Sequence, residues 1–236
     1  MLIIGDIMIL KRIAEGIRRL DFLTIFVELV IVVLGVYIGI YIGDAANKRS
    51  LQADVDRSLG VLLVQLEEDR VSLGQVIDTQ NQAQEAYQTN IDALSTSPAD
   101  MTSFAIADQQ SFTLNRTLFP NRSAYQTIRD MGYLAEIEDA ELQLLVANLF
   151  ERTYMRQDQN ALILDNIVAE YQSSIRDMYW DTTGLVFINY SPDGIMRLRN
   201  GVRNVKLWSG YYLGILNVEV KPELDNTIDA LEVYLQ

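Results

Sequence analysis

The sequence predicts an all-α fold, in which a single transmembrane helix continues into a periplasmic helical bundle or coiled-coil-like domain. Three observations predict it. Residues 22–43, FLTIFVELVIVVLGVYIGIYIG, form an apolar run in which Glu28 is the only ionisable group. Beyond that run no proline occurs before Pro98, and apolar residues recur at steps of three and four. The glycine signatures of sheet enzymes are missing: there is no G-x-S-x-G elbow, P-loop or Rossmann fingerprint.

Taken in order, residues 1–21 read as a cytoplasmic amphipathic segment. Ile3, Ile7, Leu10, Ile13, Ile17 and Leu20 recur at helical spacing with Lys11, Arg12, Arg18 and Arg19 between them. Such a helix lies in the membrane interface with its basic side chains near anionic headgroups. The alternative is a frayed tail. Residues 22–43 follow as the span. At 1.5 Å rise per residue they cross a hydrocarbon core of roughly 30 Å. Four positive residues precede the run, whereas Lys48, Arg49 and Arg57 follow it, interleaved with Asp44, Asp54 and Asp56. Positive flanks stay cytoplasmic, which places the N-terminus inside and the main domain outside a bacterial inner membrane. The run is longer than the apolar core of a cleaved signal peptide, and Tyr37, Tyr41 and Gly43 make a poor cleavage site, so an uncleaved signal anchor is expected.

One face of the span is unusual. Gly35, Gly39 and Gly43 are four apart, and Glu28 and Val32 continue the same stripe. Glycines let a second backbone approach closely, and a carboxyl group in hydrocarbon faces protein or water rather than lipid. Both features call for a neighbouring helix on this face. The alternative is a protonated Glu28 that reaches local water, beside glycines of ordinary membrane composition. Proton transport would need a relay, and the span offers no second carboxylate.

Residues 44–94 predict a long membrane-proximal helix with Leu51, Val55, Leu59, Leu62, Leu66 and Leu73 along one side and possible interruptions at Gly60 and Gly74. The pattern suits intrachain packing or an imperfect coiled coil. Residues 95–122 read as a connection containing one short helix. Residues 123–236 read as a mainly helical domain. Tyr125, Ile128, Leu134 and Leu142 make its helix–turn–helix core, with Gly132 at the turn. A second helix is expected from about Ala140 to about Tyr154, with continuation through Tyr179 as the alternative, and Leu142, Leu145, Leu149, Leu162, Ile167 and Tyr171 are its core candidates. Residues 180–204 look the least regular, and LVFINY suits a short strand or a loop. Two final helices are expected, over 205–218 and 222–235, broken before Pro222.

Composition excludes several function classes. The chain has no Cys and no His, which removes disulfides, thiol chemistry, histidine-ligated haem and ordinary structural zinc. Residues 1–50 hold six Lys or Arg against five Asp or Glu, and the rest hold thirteen against twenty-seven. So acidic a domain repels phosphate backbones, and nucleic acid is not an expected partner. Asp54 with Asp56, and Glu67-Glu68-Asp69, lack calcium-loop spacing and read as solvated helix surface. Glu136, Glu138, Asp139 and Glu141 form another acidic cluster, in which Asp139 suits a helix N-cap. Tyr179, Trp180, Trp208, Tyr211 and Tyr212 suit core packing, with a groove lining as the alternative. No catalytic residue, metal ligand or cofactor is assigned.

Two stretches carry a resemblance. Residues 27–44, VELVIVVLGVYIGIYIGD, and residues 123–154, SAYQTIRDMGYLAEIEDAELQLLVANLFERTY, resemble a large, mostly uncharacterised bacterial family of single-span membrane proteins. Glu28 and Gly35 match the first pattern. Family members often place Ala and Asn where this chain has Gly39 and Asp44. Tyr125, Ile128, Gly132, Leu134, Ile137, Asp139 and Leu142 fill the second, with Met131 in place of the usual Ser. The resemblance implies a membrane-tethered helical domain and brings no reaction, cofactor or catalytic residue.

The function expected is non-enzymatic: a membrane-anchored scaffold or accessory subunit, whose partners are the lipid bilayer and either further copies of the chain or a larger membrane complex. A periplasmic sensor or ligand-binding module is the first alternative. A carboxylate-dependent enzyme, for which Asp139 and Glu170 would have to meet in a cleft, is the second.

Overall fold

The computed structural model describes residues 22–95, 116–179 and 192–236; the expected interfacial segment, most of the connection and LVFINY lie outside them. The described residues are all-α. Helix α1 spans Phe22–Ala93. A C-terminal bundle follows, made of α2 (Ser123–Asp130), α3 (Ala140–Asn148), α4 (Tyr154–Tyr179), α5 (Pro192–Ile215) and α6 (Lys221–Tyr234). A 3-10 turn occupies Tyr133–Glu136, and π segments occupy Leu149–Thr153 and Leu216–Val220. Contacts divide the chain into two units, Met1–Asp54 and Val55–Gln236.

In the first unit α1 is unpartnered along its apolar run: the large apolar side chains from Ile25 to Ile42 are exposed. The helix passes Gly60 and Gly74 without interruption, because neither residue departs from helical backbone and the chain keeps its hydrogen-bonding ladder through both.

The second unit has a continuous core. Val55, Leu59, Leu62, Leu66, Leu73, Val76 and Ala83 present one buried face of α1 at steps of three, four and seven. Against it lie Tyr125, Ile128, Leu142, Val146, Leu149, Phe150 and Tyr154, and from the last helices Val202, Val205, Leu216, Leu224 and Ile228. Phe150 stacks on Tyr125 at 4.3 Å and meets Tyr154 edge-on at 5.2 Å.

Three expectations are corrected. Residues 192–204 are helical, because Pro192 opens α5, a position where a missing N–H costs nothing. The last two helices are not broken before Pro222. A proline crowds the carbonyl four residues earlier, here that of Val218, and Val218 lies within the wider π turn. Finally, Leu162 is 62% exposed rather than core. The buried side of α4 runs through Gln157, Ala161, Leu164, Val168 and Tyr171, one position away from it.

One glycine is required by close approach. A Cβ at Gly201 would overlap the Tyr171 ring, so α4 and α5 meet there only because residue 201 has no side chain.

Candidate functional site

Of the residues singled out for membrane contact, Glu28, Val32, Gly35, Gly39 and Gly43 are all exposed on α1. A Cβ added at any of the three glycines would meet nothing within 4 Å. The helix is long and apolar enough, by length and composition, to cross a membrane. Lys11, Arg12, Arg18 and Arg19 lie outside the described residues.

The core and turn residues are brought together. Tyr125, Ile128 and Leu142 are buried, and Leu134 packs partly buried against the same cluster. Gly132 follows α2 with φ +75°, the left-handed backbone that glycine adopts without steric cost. Asp139 caps α3: its Oδ1 accepts from the N–H groups of Glu141 and Leu142 at 2.8 and 3.1 Å. That geometry assigns the carboxylate to the helix end, and Glu170 is exposed.

The most elaborate constellation was not legible in the sequence. Residues 116–122 run without helix along the bundle, with Thr117 and Leu118 buried, and backbone groups there that water does not reach must find partners within the protein. Side chains supply them from three helices. Gln80 Nε2 donates to Arg116 O at 2.8 Å, and Ser209 Oγ donates to Gln80 Oε1 at 2.6 Å. The Leu118 N–H donates to Tyr212 Oη at 2.9 Å, while Gln157 Nε2 donates to Leu118 O and Tyr212 Oη at 2.9 and 2.8 Å. Further along, the Asn121 N–H donates to Asp69 Oδ1 at 3.1 Å, and Gln65 Nε2 donates to Asn121 O. Gln65 Oε1 in turn accepts from Ser123 Oγ and the Ala124 N–H at 3.1 and 3.0 Å. Gln65, Gln80 and Gln157 are buried, so the amides act as a rack that holds the backbone of the segment and is itself braced by the Ser123, Ser209 and Tyr212 hydroxyls.

Asp69 belongs to this rack and corrects its reading as solvated surface. It is 4% exposed, and Tyr154 Oη donates to its Oδ2 at 3.2 Å. Desolvation raises the Asp69 pKa from its ordinary value, although the bonds from Asn121 and Tyr154 oppose the rise. The buried Tyr154 phenol is pushed well above its usual value, first by desolvation and then by the Asp69 charge. A glutamine at a helical core position is the signal that would have found the rack; Gln65, Gln80 and Gln157 each interrupt an apolar stripe.

Two surface features remain. A groove of about 710 Å³ is lined by Gln84, Gln88, Ile91, Arg203, Lys206 and Tyr211. Lys206 Nζ donates to Gln88 Oε1, and Gln84 Nε2 donates to Lys206 O at 2.8 Å. Of the aromatic set, Tyr212 is buried, Trp208 packs partly buried against the core and Tyr211 is exposed; the Tyr179 and Trp180 side chains lie outside the described ones. Among the described residues no group of Asp and Glu is placed to hold a metal ion.

Residues 28–194, well over half of the chain, match the model of a family of unknown function (DUF6090). The match includes Glu28, the glycine stripe, most of the amide rack and the whole of residues 123–154. No curated protein and no solved structure matches the chain.

Proposed function

We propose that this chain, which belongs to the family of unknown function DUF6090, is a membrane-anchored scaffold or accessory subunit that assembles through its apolar helix and its helical domain. One observation carries the reading. Every large apolar side chain from Ile25 to Ile42 is exposed, whereas the second unit buries a core of its own. An apolar surface of that extent in water is strongly unfavourable, and lipid is the solvent that removes the cost. Within lipid, Glu28 and the open Gly35, Gly39 and Gly43 favour protein against that face over acyl chains. In this reading the basic residues Lys11, Arg12, Arg18 and Arg19 hold the N-terminus in the cytoplasm, and the acidic domain stands in the periplasm. The bundle geometry supports association rather than chemistry: its most elaborate polar constellation is spent on its own backbone.

Alkaline carbonate washing of membranes, followed by protease added to the periplasmic side, tests the placement. The protein is expected to stay in the pellet and to lose its C-terminal domain to the protease. Release by carbonate, or protection of that domain in intact spheroplasts, would overturn it.

The groove beside Arg203 and Lys206 supports the second reading, a sensor or ligand-binding module. Two cations beside Ile91 and Tyr211 suit an amphipathic anion, and calorimetry with such anions on the purified chain separates this role from a purely structural one.

A further inference from the structure

Helix α5 is the basic element of an acidic unit. Pro192–Ile215 carries Arg197, Arg199, Arg203 and Lys206 against Asp193 alone, whereas residues 51–236 hold thirteen Lys or Arg against twenty-seven Asp or Glu. At about 100° per residue, Arg199, Arg203, Lys206 and Gly210 share a sector of about 60°. The last three of them line the groove whose α1 side is Gln84, Gln88 and Ile91.

The cations of this groove are held differently from others in the unit. Arg122, Arg129, Arg156 and Lys221 reach the carboxylates of Asp158, Glu151, Glu219 and Asp225. Lys206 Nζ donates instead to the neutral Gln88 Oε1, and among the described residues Arg203 meets no carboxylate and none lines the groove. Asp92 is connected only through Gln88, whose Nε2 donates to Asp92 Oδ1 at 2.8 Å. Arg203 and Lys206, three apart on one helix, stand about 5–6 Å apart at Cβ, close enough for one anion to bridge. The guanidinium offers a planar fork for two oxygens, and the ammonium adds a point charge. The excess acid elsewhere does not cancel them, because exposed charges beyond about 8 Å are largely screened at physiological ionic strength.

The rest of the groove defines the body of a ligand. Leu207 and Tyr211, one turn apart, are 69% and 52% exposed, and Ile91 closes the α1 side. From Arg203 to Tyr211 the helix rises about 12 Å. Gly210 lies between them and leaves the floor open. A Cβ there would meet the Gln84 amide at 3.6 Å or more, an ordinary contact, so packing does not demand a bare backbone. Three apolar side chains over that length suit one short chain or ring and fall short of the two acyl chains of a membrane lipid.

We propose that this groove binds a water-soluble organic acid, with its carboxylate on Arg203 and Lys206 and its short apolar body over Gly210 against Leu207 and Tyr211. This rests on the ligand-binding reading above, to which it adds the head, the body and the length of the ligand.

Saturation-transfer NMR on the full chain in phosphatidylcholine nanodiscs, with empty discs subtracted, tests it. The probes are 4-phenylbutyrate, the tailless anion acetate and the neutral 4-phenylbutanol. 4-Phenylbutyrate is expected to bind saturably, and the other two severalfold more weakly. Arg203→Gln and Lys206→Gln are each expected to weaken 4-phenylbutyrate severalfold. Gly210→Leu, which fills the floor and keeps both charges, is expected to abolish saturable binding. Gly214→Leu, exposed on α5 outside the groove and with nothing within 4 Å of its Cβ position, is expected to bind as wild type does. Equal affinity for 4-phenylbutyrate and 4-phenylbutanol, lost together in Gly210→Leu, would overturn the anion assignment and leave the ligand-binding reading standing. Binding of 4-phenylbutyrate that Gly210→Leu or Arg203→Gln leaves unchanged would overturn this site. No saturable binding of any probe would overturn both.

Discussion

At the scale of single residues, the amide rack and the Gly201 contact have opposite chemistry and comparable stakes. Removing Asp69 takes the acceptor from the Asn121 N–H and from the buried Tyr154 hydroxyl, so Asp69→Ala is expected to cost about 1–3 kcal/mol in denaturant unfolding. Asp69→Asn keeps an acceptor and no charge, and is expected to be far milder. The pH dependence has a definite sign. Because the native pKa is raised, the folded state holds the Asp69 proton more tightly than the unfolded state does. The stability from that proton is full below the ordinary carboxylate range and is lost as pH rises through the raised native value. Wild type should therefore lose stability relative to Asp69→Asn across that window and run parallel to it above. At Gly201 the problem is volume. A methyl group there overlaps Tyr171, and Gly201→Ala is expected to cost about 1–3 kcal/mol by thermal or urea unfolding. Neither residue stood out in the sequence. Asp69 sits in a run of three acids that resembles any solvated surface, and a glycine's need for close approach depends on a ring thirty positions away.

At the scale of elements, the parts governed by local rules were legible and the parts governed by tertiary context were not. The unbroken stretch before Pro98 marked α1, and Gly132 marked the end of α2 through its backbone freedom. Asp139 could be read as a cap because capping needs only neighbouring N–H groups; Asp139→Ala is expected to lower stability by about 0.5–2 kcal/mol, measured by unfolding of the purified protein. The continuity of the last helices was hidden. Pro222 normally argues for a break, and the π turn that accommodates it at Leu216–Val220 has no propensity signal of its own. The same holds for Leu162, whose leucine identity suggested burial while the side of α4 that packs was set by Gln157 and Ala161.

For the whole molecule, the sequence made the division of labour plain and left its execution obscure. An apolar run with one carboxyl group, followed by an acidic helical region, led to the expectation of one part that can cross a membrane and another that builds its own core. How the second part holds together depends on a non-helical segment whose backbone is satisfied by glutamines from distant helices, a pairing no local pattern announces. The proposed role follows from what this architecture leaves uncovered: the apolar run of the long helix, with Glu28 and a glycine face on it. Association within the membrane is the central claim, and size analysis of the full chain after gentle extraction tests it most directly. Wild type and Ile38→Leu are expected to run as an assembly larger than one chain, and Gly39→Ile, which places a branched side chain on the glycine face, as a smaller species. Assemblies of equal size from all three, or single chains throughout in mild detergent, would contradict it.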